Sequence, residues 1–161
     1  MSSCYTCFIK AYDIYRNVNV IRSIINKTFT SLPSGDDINF LIRTLENMKN
    51  RIDSLVGECG FKNSESYVNV VKDNIDRMIT ALREGRIDHV LLENMYTCLK
   101  DSLDRFMMAG TIGWCMNAPL GEKIEVARSV VNITKRNIDR YVDQVERYLT
   151  KMYNGGQIIE I

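Results

Sequence analysis

Apolar residues along this chain recur at steps of three and four, the spacing of one face of an α-helix. No segment sustains the period-two alternation of a half-buried strand. The first stripe runs from about Tyr5 to Thr30 through Tyr5, Phe8, Tyr12, Tyr15, Val18, Ile21, Ile25 and Phe29, and the turn SLPSGDD closes it. A second carries Ile38, Leu41, Ile42, Leu45, Met48, Ile52, Leu55 and Val56, with Asp36 or Asp37 as N-cap and Gly57 or Gly60 as stop. A third, from about Ser64 to Glu84, carries Val68, Val71, Ile75, Met78, Ile79 and Leu82 and ends at Gly85. The fourth starts near an Asp88 cap, continues through Leu91, Leu92, Met95, Leu99, Leu103, Phe106 and Met107, and is ended or loosened by Gly110 and Gly113.

The fifth stripe is the longest, from about Pro119 to Tyr153. Leu120, Ile124, Ala127, Val131, Thr134, Ile138, Tyr141, Val145, Tyr148, Leu149 and Met152 trace its face. At 1.5 Å per residue this helix reaches roughly 50 Å, against about 30–40 Å for the others. It is expected to overhang the bundle, curve around it, or pack on a second subunit. Short turns between amphipathic helices predict an all-α fold: an antiparallel bundle of about five helices in a single domain over residues 1–161, with a short apolar tail at 157–161.

A near-repeat edges these stripes. KDNIDRMI begins at Lys72, KDSLDRFM at Lys100, KRNIDRYV at Lys135 and the looser KNRIDSLV at Lys49. Its apolar positions fall on the core face. Asp76, Asp104 and Asp139 each follow a Lys by four residues, the spacing of a weak pair within one helix. The unequal spacing of the copies excludes a fixed-period solenoid. Acids on separate helices beside solvent-facing cations do not form a converging acid–base site.

Charge adds little to this picture. The net charge is +1, with 45% hydrophobic and 25% charged residues. The cations are interleaved with acids, which counts against nucleic acid as the main partner. The alternative nucleic-acid surface would use Lys10, Arg16, Arg22 and Lys27 of the first helix, or Arg128, Lys135, Arg136, Arg140 and Lys151 of the last. No apolar run is long enough to span a membrane, and the N-terminus lacks a signal-peptide pattern.

Five cysteines form no familiar disulfide framework, so an intracellular, reducing setting is expected, with no need of staples. Cys4 and Cys7 have CxxC spacing; simple packing is the expected role, with a redox pair as the runner-up. Cys98 is placed in the core and His89 in solvent. One histidine, no phosphate-cradling glycine loop and no nucleophile–base set exclude the usual catalytic constellations. No enzyme activity, cofactor or metal is expected.

Two stretches interrupt the pattern. MMAGTIGWCMNAPLG, Met107–Gly121, holds no charged residue and contains the only Trp. It is either a buried corner or an adaptable contact surface built on Met107, Met108, Trp114 and Met116. The tail QIIEI follows a Gly-Gly pair and offers Ile158, Ile159 and Ile161 as a docking peptide or a fold-back segment. Together with the long last helix, they point to a structural or adaptor protein that binds protein partners and self-assembles into a homo-oligomer.

Overall fold

A computed structural model describes residues 3–61 and 65–154; within the last helix the side chains of residues 136–138, 140, 141, 144, 148 and 151–154 are outside the description. The fold is all-α, with no strand among the described residues. Six helices follow one another: α1 (Cys4–Tyr15), α2 (Asn17–Lys27), α3 (Gly35–Cys59), α4 (Glu65–Arg83), α5 (His89–Cys115) and α6 (Leu120–Asn154).

The sixth helix arises because the first expected helix breaks at Arg16. The Asn17 amide donates to the carbonyls of Asp13 and Ile14, at 3.2 and 3.0 Å. A side chain thereby takes the acceptors that the backbone N–H groups of the next turn would use, and the ladder is interrupted. The other boundaries are set by caps. Ser34, rather than Asp36 or Asp37, caps α3 by accepting from the Asp37 N–H, and Asp88 caps α5 by accepting from Leu91. Gly60 and Gly85 end α3 and α4 with φ of 74° and 75°, the left-handed region open to glycine. After α4, the N–H of Arg86 reaches Ala81 and that of Gly85 reaches Leu82, the paired bonds of a Schellman stop. Gly110 and Gly113 do not end α5, which continues unbroken to Cys115.

The chain divides into two compact units, Met1–Val126 and Ala127–Ile161. In the first, α5 packs on α1, α2 and α4, and α3 packs on α1, α2 and α4. Its centre is filled by Ile14, Ile21, Ile25, Leu41, Leu45, Met48, Ile52, Ile75, Met78, Leu92, Leu99 and Phe106, all fully buried.

The near-repeat has a different use from the one its spacing suggests. Lys49 of α3 holds Asp76 of α4 at 2.7 Å, and Lys72 of α4 holds Asp53 of α3 at 2.6 Å. Two copies of the motif thus bridge each other reciprocally across neighbouring helices, which requires α3 and α4 to run antiparallel. The pairing within one helix expected for Lys72 and Asp76 is replaced by these two bridges.

Asp104, in the third copy, accepts a 2.8 Å hydrogen bond from the Tyr15 hydroxyl. Burial raises its carboxyl above the usual carboxylate range; the Tyr15 bond and Lys100 pull the other way, and Asp101 adds to the rise. The folded state therefore holds the proton more tightly than the unfolded chain. Stability is lost as pH rises from the unfolded value through the raised folded one, and the loss persists above it. Asp104→Asn keeps an acceptor for Tyr15 and removes the buried charge. Its urea midpoint is expected to exceed wild type at pH 7 and to match it near about pH 3, where both carboxyls are protonated.

Candidate interaction surface

Four of the five cysteines are joined in pairs. Cys4 bonds Cys115 and Cys7 bonds Cys59, with Cα–Cα distances of 4.7 and 6.1 Å. The Cys4–Cys7 pair considered as the runner-up is therefore replaced: the two cysteines lie on one buried face of α1, each bonded to the last residue of a different helix. The chain thus carries two disulfides although its cysteine spacing offers no familiar framework. Cys98, expected in the core, is the one free cysteine and is exposed. The Tyr5 N–H at the start of α1 donates to Glu122 Oε1 at 2.9 Å, so the same end also receives the first turn of α6.

Next to the Cys7–Cys59 bridge, the Trp114 corner is partly buried. The Trp114 indole N–H donates to the Gly60 carbonyl at 2.9 Å. Its ring meets Phe61 and Phe106 edge-on, at centroid distances of 5.7 and 6.4 Å, and those two rings stack at 5.0 Å. Gly110 lets the cluster close: a Cβ there would lie 2.6 Å from the Trp114 ring and 2.9 Å from Phe61. Met107 is fully buried, so of the proposed contact residues here it belongs to the core. Met108 and Met116 are exposed, and Ile112 between them forms with them an i, i+4, i+8 row that sequence reading did not single out. Ile158, Ile159 and Ile161 lie outside the described residues.

The candidate basic surface of the first helices is largely committed to acids. Lys10 pairs with Glu58, Arg22 with Glu93 at 2.5 Å, and Lys27 with Asp37 at 3.8 Å. Arg22 also lies over the Tyr96 ring and Arg16 over that of Tyr12. On α6, Arg128 and Lys135 are exposed, while the side chains of Arg136, Arg140 and Lys151 lie outside the description. His89 is not solvated as expected. It is half-buried, its Nδ1 lies 2.5 Å from the Thr28 hydroxyl, and its ring packs on Phe29. Among the described residues, no group of three or more His, Cys, Asp or Glu is placed to hold a metal, and no helix is long and apolar enough to cross a membrane.

A second exposed apolar face is on α6. Much of the stripe traced from sequence is exposed. Val126 and Val130, which it omits, are buried, whereas Val131, Val142, Val145 and Leu149 are 58%, 46%, 39% and 58% exposed. Leu149 aside, the stripe residues step by four and three from Leu120 to Met152, a heptad in which Ile124, Val131, Ile138, Val145 and Met152 occupy position a. Val142 and Leu149 stand at e and widen the band. A strict seven-residue repeat is the pattern by which one helix recognises another. Compared with known proteins, the chain matches no family model, no curated protein and no solved structure.

Proposed function

We propose that the chain is a non-enzymatic association protein, a structural or adaptor subunit, and that its working surface is the exposed stripe of α6. The observation that carries this reading is the exposure of Val131, Val142, Val145 and Leu149 along a heptad. Scattered apolar residues on a surface need no explanation. Apolar side chains kept in one register over many turns do, because burial against a second helix is what such a register provides. The paired cations of the first unit support this reading over a nucleic-acid surface. The two disulfides favour an oxidising setting over the reducing one expected from cysteine spacing.

The test adds a designed amphipathic helix with Ile at a, Leu at d and uncharged Gln at e and g to the oxidised full chain, and measures mass by light scattering. A complex, either with the peptide or between copies of the chain, is expected. A chain that stays monomeric at high concentration and takes up no peptide would contradict the proposal.

A further inference from the structure

Resting on that reading, we infer that the α6 stripe takes an amphipathic helix of another protein whose flanking positions are acidic, rather than a second copy of this chain. The argument is one of charge. In a helix pair the residues at e and g border the apolar seam and meet their counterparts on the partner in either orientation. On α6 the e positions are Gly121, Arg128, Lys135, Val142 and Leu149, and the g positions are Lys123, Val130, Asn137, Gln144 and Lys151. Every charged residue among them is a cation. The acids of the helix, Glu122, Glu125, Asp139, Asp143 and Glu146, all stand at b or f, facing away from the seam.

Arg128 and Lys135 are exposed beside the exposed Val131, so charge and apolar band are offered on one face. A second copy would bring the same cations against these, and like charges across a seam select against a pairing. A partner with Glu or Asp at its flanks converts each repulsion into an attraction.

Three peptides of identical a and d residues separate the possibilities, with Glu, Gln or Lys at every e and g position. Each is titrated into the full-length oxidised chain by fluorescence anisotropy at low and high salt. The Glu peptide is expected to bind about tenfold or more tightly than the Lys peptide at low salt, with the gap closing at high salt. In Arg128→Glu/Lys135→Glu, both sites being exposed, the order is expected to reverse. Equal binding of all three would overturn the inference and leave the association reading standing. A dimer of the chain through α6 that the Glu peptide fails to displace would also overturn it, in favour of a second copy. If no peptide binds and the chain is monomeric, the association reading itself falls.

Discussion

Removing either disulfide is expected to destabilise the bundle by about 4 kcal/mol, as predicted from the loops the bridges close. Cys4–Cys115 spans 111 residues and Cys7–Cys59 spans 52, so each withdraws much freedom from the unfolded chain. The second loop lies inside the first, so each bridge shortens the loop the other has to close, and losing both should cost somewhat more than the sum of the two single losses. Cys4, Cys7 and Cys115 are buried and Cys59 is half-buried, so alanine is the suitable replacement; serine would add hydroxyls to buried positions. Guanidinium melts of Cys4→Ala/Cys115→Ala and Cys7→Ala/Cys59→Ala, beside oxidised wild type, give the sizes. Peptide mapping without reductant should recover both bridges and a single reactive thiol at Cys98. Equal melts with and without reductant would mean that the bridges contribute nothing to the fold.

Phe106→Ala should be the costliest single core truncation, at about 3–5 kcal/mol. Its ring is fully buried, stacks on Phe61 and receives the edge of Trp114. Deleting it removes buried apolar surface and leaves a cavity that this corner cannot easily close. The Cys7–Cys59 bridge holds one side of the corner, and Gly60, which accepts the Trp114 bond, directly follows Cys59. Because Trp114 is the only tryptophan, its emission should shift in the folded variant as well as report unfolding. Met108→Ala, at an exposed position nearby in sequence, should stay within about 0.5 kcal/mol of wild type. Similar losses at the two positions would contradict the assignment of Phe106 to the centre of the core.

Helix type and approximate extent were legible because α3, α4 and α5 bury the residues that their period marks. Ile52, Ile75, Met78, Leu99 and Phe106 are all fully buried, as the spacing requires. The break at Arg16 was not legible, since it depends on where one Asn17 amide points. Cys59 and Cys115 looked isolated only along the chain. In an antiparallel bundle the start of the first helix lies beside the ends of the second and fourth expected helices, and those ends carry these two cysteines. Topology held the signal that spacing lacked. Gly110 looked like a helix stop because glycine weakens helices; here the absence of a side chain admits Trp114 and Phe61.

The α6 stripe was legible as a face but not as an exposed one. Period alone cannot say whether an apolar band meets its own bundle or another helix. On α6, Val126 and Val130 are buried while Val131 is exposed.

The central claim is that this open band is where the protein works. Its most direct test is the mass, by light scattering, of the full chain with the neutral helix peptide, for wild type, Val131→Glu/Val145→Glu and the control Asn132→Glu. All three should melt within about 0.5 kcal/mol of one another, because the altered positions are exposed. The account predicts that wild type and the control form the complex and that the double variant remains a monomer. Association unchanged in Val131→Glu/Val145→Glu would contradict it.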